Sequence, residues 1–266
     1  MPDAPHSLAT VLAQPHPTLG VFVPAGLHPP ADERRLIDAL TGAGSGLIEI
    51  GLPSDFAPLD GPVIRAAYHQ ALQQGTDLAR TLRAVEHAAS RAPTVVMTYW
   101  APVQHQGPER LALACAAAGA AGVMVVDLPA CMAGRWHDAT KNAGLCAPRL
   151  VPRHTPGTGL ASATAGASGW LYAPASTATT GYQGALDIQA LGAFTQRLRA
   201  ASPLPVVSGV GISTPRLAAC VAPLVDAVVI GTPIVRALAA DAAQAPALVA
   251  SFARALHPTS ITETRA

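Results

Sequence analysis

Glu49 and Asp60 are the residues of this chain best placed to do chemistry. Glu49 sits inside a short apolar run, Leu-Ile-Glu-Ile-Gly at 47–51, and Asp60 ends a proline-punctuated loop just before Gly61-Pro62 opens a helical pattern. An unpaired carboxylate in an apolar strand is costly or shifts its pKa, so such a residue needs a reason to be there. Two carboxylates delivered by a strand end and the loop after it can supply acid–base chemistry to a small molecule. The plain alternative is a strand-end Glu reaching water and an Asp capping a helix. These residues alone leave both open.

Positioning the pair requires a frame, and the rest of the chain supplies one. Short β-branched runs alternate with Ala/Leu-rich helical stretches, the pattern of repeated βα units around a parallel sheet. Eight strands are predicted, at 20–24, 47–51, 94–99, 122–127, 147–152, 169–173, 205–209 and 226–231. Runs such as Val123-Met124-Val125-Val126 lack strict alternation, as expected where both faces are covered. Helical patterns at 32–41, 62–74, 77–90 and 108–118 fill gaps between strands. Two helices fit between strands two and three, and two more after strand eight, at 233–240 and 246–256. The prediction is a single-domain (β/α)8 TIM barrel over 19–257, after an irregular segment at 1–18 and before a flexible tail at 258–266.

In such a barrel the site lies at the C-terminal ends of the strands. That face receives Glu49 and Asp60, then Tyr99 and Trp100 closing strand three, Asp127 closing strand four, and Tyr172 near the end of strand six. Aromatic and carboxylate groups around one mouth suit a flat aromatic ligand with an N–H donor, although barrel packing accounts equally for any one aromatic alone. Glycine turns follow the last three strands: Thr180-Gly181, the turn from Gly209 to Ser213 that contains Gly211, and Gly231-Thr232. Glycine lets backbone N–H groups approach an anion, and the short helix after strand eight adds its positive end. A phosphate is expected there, with no Arg or Lys required. The polar loop at 175–184 is either a lid or a plain linker.

Composition narrows the function further. Half of the 266 residues are apolar and 12% are charged, which is ample for a large core. A net charge of +1 with no basic stripe speaks against nucleic-acid and membrane-surface partners. The single lysine, Lys141, falls in a helical pattern and is a poor Schiff-base former. Cys115, Cys131, Cys146 and Cys220 form no CxxC pair, and no signal peptide is visible, so a reducing cytoplasmic setting is expected. The longest uncharged run, 111–126, falls short of the roughly 20 residues a membrane span needs. The nine histidines show no metal-ligand spacing, so no metal is expected. His28 and His154 fall in loops on the active face and read as surface residues. The glycines from Gly42 to Gly46 precede a strand instead of following one, and Ser208 and Ser213 lack a nucleophile elbow.

Nearly the whole chain, in order, carries AGSGLIEIGLP, LDGPVIRAAYHQAL, VVMTYW, GVMVVDLP, the Thr180-Gly181 loop, SGVGIST and AVVIGTPIV. In these motifs and their spacing it resembles the tryptophan synthase α-subunit family. The resemblance implies a (β/α)8 barrel that cleaves indole-3-glycerol phosphate to indole and glyceraldehyde 3-phosphate. It implies no metal and no organic cofactor, and a PLP-dependent β-subunit as the partner that receives indole. It further implies that Glu49 is the catalytic glutamate, Asp60 the aspartate of the DGP motif, and Tyr172 part of the indole pocket. Gly181, Gly211, Gly231 and Thr232 match the family's phosphate cradle.

Several positions depart from the family. It usually reads PFSDPxADGP between the two carboxylates, whereas this chain reads PSDFAPLDGP. Trp100-Ala101-Pro102 stands where YNP is usual, Ala130-Cys131 replaces an acidic pair, and Ser176 replaces a common Arg. These positions belong largely to loops facing the β-subunit or to lid closure. The expectation is a diverged lyase that acts alone or in a specialised pathway. Two alternatives stand beside it: a related indole or aryl glycerol phosphate as substrate, and a catalytically weak α-like protein that binds and regulates a β-subunit. An epimerase or aldolase of similar fold is disfavoured by the lack of a strand-end lysine.

Overall fold

Eight short runs of apolar, largely β-branched residues form the staves of a parallel barrel in the computed structural model, which describes residues 7–257. They are β1 (Thr18–Pro24), β2 (Leu47–Gly51), β3 (Thr94–Thr98), β4 (Gly122–Val125), β5 (Arg149–Leu150), β6 (Leu171–Tyr172), β7 (Val206–Ser208) and β8 (Ala227–Ile230). The hydrogen-bonded order is β4-β3-β2-β1-β8-β7-β6-β5. A single parallel bridge between Gly122 and Cys146 joins its two ends into a barrel. Every residue of β1 to β4 is buried, which explains why these strands read as continuous apolar runs. All eight predicted strands are present, although β5 and β6 are shorter than the apolar runs suggested.

Twelve helices are seen among the described residues. They are α1 (Leu8–Leu12), α2 (Pro30–Gly42), α3 (Pro62–Gln73), α4 (Leu78–Ala89), α5 (Trp100–Gln106), α6 (Pro108–Ala117), α7 (Ala133–Asn142), α8 (Leu160–Thr164), α9 (Ile188–Ala201), α10 (Pro215–Val221), α11 (Thr232–Asp241) and α12 (Ala245–Leu256). The paired helices after β2 and after β8 are as expected. Proline at the start of α2, α3, α6, α10, α11 and α12 fits the first turn, where its missing N–H is no loss.

One departure lies before the barrel. The segment read as irregular contains α1, capped by Ser7, whose side chain accepts the Thr10 N–H at 3.1 Å. Leu8 and Leu12, one turn apart, are both buried, and the Thr18 hydroxyl donates to the Val11 carbonyl. Five residues are too few to display a helical period, so the sequence pattern is silent there. The predicted tail at 258–266 and residues 1–6 lie outside the described residues.

Strand register sets the barrel interior. Phe22 pairs with Glu49, Met97 with Met124, and Leu150 with Tyr172. All six line one cavity, so β1 to β6 each contribute a side chain to a common interior layer. Among the described residues no helix is long and apolar enough to cross a membrane.

Candidate active site

The cavity encloses about 840 Å3, mouth included, and its wall carries two carboxylates, Glu49 and Asp60. Glu49 is held on β2 by pairing with β1 and β3, and its neighbours along the strand are apolar. Its Oε1 is buried and has no hydrogen-bond partner. Desolvation without compensation lifts its pKa to about 8, so near neutrality the group is a protonated acid. Asp60 is also buried, and burial raises its pKa on balance, with two donors countering part of the rise. The Tyr99 hydroxyl donates to Oδ2 at 2.7 Å and the Thr180 hydroxyl to Oδ1 at 3.0 Å. The two carboxyl groups therefore differ in kind: Glu49 has no donor to set against desolvation, whereas Asp60 has two donors that favour its anion against the burial that opposes it.

Three tyrosines crowd this pair. Tyr68 from α3, Tyr99 after β3 and Tyr172 on β6 are buried, and desolvation raises each phenol above its ordinary range. The negative charge of Asp60 adds to that rise in all three. They remain protonated and cannot act as bases near neutrality; of the three, Tyr99 donates to Asp60.

The loop after β6 closes over the carboxylates. Thr180 Oγ1, besides donating to Asp60, accepts the Gly61 N–H at 2.9 Å, and the Thr180 N–H donates to the Leu59 carbonyl at 3.2 Å. The approach tolerates no side chain at 61: a Cβ there would lie 1.9 Å from the Thr180 carbonyl oxygen. At the loop's start, the Arg153 guanidinium donates to the Ala175 carbonyl at 2.8 Å, and Ser176 Oγ accepts the Ala178 N–H at 3.1 Å.

Thr180, Gly181, Gly211, Gly231 and Thr232 line the same cavity as the carboxylates, with Thr180 in direct contact with Asp60. Gly211 has φ 91° and follows Val210 with φ 52°, a left-handed conformation that a β-branched residue rarely adopts. Its Cβ, if present, would sit 2.9 Å from the Ser176 Cβ, so the turn after β7 and the lid pack backbone to side chain. α11 begins at Thr232 and directs its unpaired first-turn N–H groups towards this end of the barrel. The arrangement offers an anion seat made of backbone.

A family model described as tryptophan synthase alpha chain matches residues 8–259. The chain belongs to that family. The tryptophan synthase alpha chain of Streptomyces avermitilis is 35% identical over 218 residues, covering 81% of this chain and 78% of the relative. The Gluconacetobacter diazotrophicus protein of the same name is 39% identical over 187 residues, covering 69% and 68%. Among solved structures, a Mycobacterium tuberculosis tryptophan synthase superposes with a TM-score of 0.86 at 31% identity, covering 94% of this chain and 98% of that one. Tryptophan synthase subunit alpha from Legionella pneumophila gives 0.84 at 28% identity, covering 95% and 99%. The chain is thus an enzyme of the α-like carbon–carbon lyase type.

For this tryptophan synthase α-like protein, the cavity brings together nine of the eleven site residues read from the sequence. Trp100 and Asp127 are the exceptions and need correction. Neither lines the cavity; instead the Asp127 carboxylate accepts the Trp100 N–H at 2.6 Å. Trp100 opens α5, so the carboxylate meets the positive end of that helix, and the Trp100 ring is buried in the apolar core. His28 and His154 also stay outside the cavity. Among the described residues no three His, Cys, Asp or Glu side chains gather to hold a metal.

Sequence reasoning missed Phe22, Met97, Met124, Tyr182 and Arg236 on the cavity wall, and Tyr68 behind it. The first three could have been found from inward positions on β1, β3 and β4. Arg236 carried a signal too, one helical turn beyond Thr232.

Proposed function

We propose that this chain cleaves indole-3-glycerol phosphate to indole and glyceraldehyde 3-phosphate by a retro-aldol reaction. The observation that carries the reading is the unpaired, buried Glu49 carboxyl in the same cavity as a hydrogen-bonded Asp60. Protonated Glu49 delivers its proton to indole C3, which leaves the positive charge on the ring nitrogen. Asp60 faces that N–H; a carboxylate has about four acceptor sites, so Tyr99 and Thr180 leave room for it. Glu49, now an anion, accepts the proton of the side-chain hydroxyl next to the ring as the C–C bond breaks and its electron pair returns to the indole. Glu49 ends protonated as it began. Phe22, Met97, Met124 and Tyr172 provide an apolar and aromatic bed for the ring. Gly181, Gly211, Gly231 and Thr232 receive the phosphate. No metal or organic cofactor enters this chemistry.

The partner of this chemistry, by family resemblance, is a PLP-dependent β-subunit, and the four free thiols suit a cytoplasmic setting. Thr180 ties the loop after β6 to Asp60 and Gly61 from within this chain, which supports indole release without a partner. The test is indole formation by wild type and Glu49→Gln, each with and without a tryptophan synthase β-subunit. Wild-type turnover abolished in Glu49→Gln is expected, with little dependence on the partner. Equal activity in both proteins removes Glu49 from the mechanism, and strong partner dependence refutes the free-standing form. No turnover under any condition leaves the weak, regulatory α-like protein.

A further inference from the structure

The anion seat described above is made of backbone, yet a phosphate monoester carries a charge of about −1.5 to −2 near neutrality. A helix N-terminus supplies the equivalent of only about half a positive charge. The cavity itself adds Asp60, and Glu49 whenever it ionises. Neutral donors and one helix end can seat a phosphate, and a cation beside them would add affinity and selectivity for its charge. The wall contains one cationic side chain among its lining residues, Arg236. It lies four residues after Thr232 on α11, hence one turn further along the same face. Its side chain is exposed, and none of the ion pairs among the described residues engages it.

We propose that Arg236 binds the substrate phosphate and makes this chain selective for phosphorylated over phosphate-free indole glycerols. The inference rests on the lyase reading and adds to it the residue that reads the charge. A guanidinium presents parallel N–H donors that match two phosphate oxygens, with the backbone N–H groups left for the third. Helical attachment holds it at the rim, away from the ring end where Glu49 and Asp60 act. It therefore contributes to binding without entering the bond-breaking step.

The experiment compares wild type, Arg236→Ala and Arg236→Lys in cleaving indole-3-glycerol phosphate and indole-3-glycerol. Glycerol 3-phosphate binding to each protein is measured by calorimetry, and thermal melts confirm folding. An exposed side chain can be truncated with little effect on stability. In Arg236→Ala the KM for the phosphorylated substrate is expected to rise about ten-fold or more, with kcat within about two-fold. The preference for phosphorylated substrate and the affinity for glycerol 3-phosphate should fall by a similar factor, and Arg236→Lys should recover part of each. Unchanged KM and unchanged glycerol 3-phosphate affinity overturn the proposal, as does an equal loss with both substrates. If wild type cleaves neither compound, the lyase reading fails while the calorimetry still decides. Weaker glycerol 3-phosphate binding in Arg236→Ala then supports the assignment, and equal or absent binding in both proteins overturns it.

Discussion

Thr180 and Asp60, 120 residues apart in the chain, are joined hydroxyl to carboxylate at 3.0 Å. Because the same hydroxyl also accepts the Gly61 N–H, ordering of the lid and orientation of Asp60 are one structural event. In the proposed reaction, substrate enclosure and stabilisation of the ring cation would therefore be coupled.

Thr180→Val keeps the side chain's shape and deletes that hydroxyl. It leaves the Gly61 N–H without its acceptor and frees Asp60 to turn. Misorientation of a group that stabilises charge is expected to lower kcat/KM by about 10- to 100-fold. Initial rates of indole formation, read beside a thermal melt, check it. A wild-type rate in a folded Thr180→Val protein would sink the coupling.

Glu49 makes a prediction in pH. Its carboxyl titrates at about 8 in the fold and near 4.5 in the unfolded chain. Between those values folding takes up a proton, so stability is full below the lower value and declines as pH rises towards the upper one. Glu49→Gln stays neutral throughout and escapes the decline. The melting-temperature advantage of Glu49→Gln should grow from about pH 5 to about pH 8 and then level off. Wild-type kcat should fall above about pH 8 as the acid is lost. A pH-independent difference in melting temperature would mean that the carboxylate is compensated in solution.

Tyr99 acts on Asp60 in the opposite sense. Its hydroxyl at 2.7 Å holds the Asp60 carboxyl down against the rise caused by burial. Tyr99→Phe removes that donor, so Asp60 protonates at higher pH and loses the charge it needs. The acid limb of the kcat/KM profile should therefore move upward in pH. An acid limb that stays in place would assign the hydrogen bond to packing alone.

Asp127 separates the helix-end role from the pocket role. Its removal in Asp127→Ala should cost about 1 kcal/mol of stability by stripping the partner of the Trp100 N–H. The KM for indole-3-glycerol phosphate should stay within about two-fold, since the side chain lies off the cavity. Urea unfolding and steady-state kinetics on one preparation decide between the two roles.

What the sequence revealed, and what it did not, follows from how each residue reports its environment. The strands were legible because parallel staves are buried on both faces, and Glu49 stood out because it is the one carboxylate in the interior of such a run. The glycine turns were legible from their places after consecutive strands. Trp100 and Asp127 were misplaced because a position at a strand end specifies height in the barrel but not direction. The Asp127 carboxylate is taken up by the Trp100 N–H at the start of α5, and the Trp100 ring packs in the core. Tyr68 and Tyr182 lie on a helix and in the loop after β6, where approach to the cavity depends on tertiary packing that no local period encodes.

The short β5 and β6, two residues each, and the one bridge at Gly122 and Cys146 have a dynamic consequence. Glu49 belongs to β2, whose ladders with β1 and β3 run over five and four paired positions. The lid springs from β6, which pairs with each neighbour at only two. In hydrogen–deuterium exchange, amides of β5 and β6 should open well before those of β1 to β3. In the proposed reaction, breathing of that side would let product leave over the loop after β6 while Glu49 stays fixed in place.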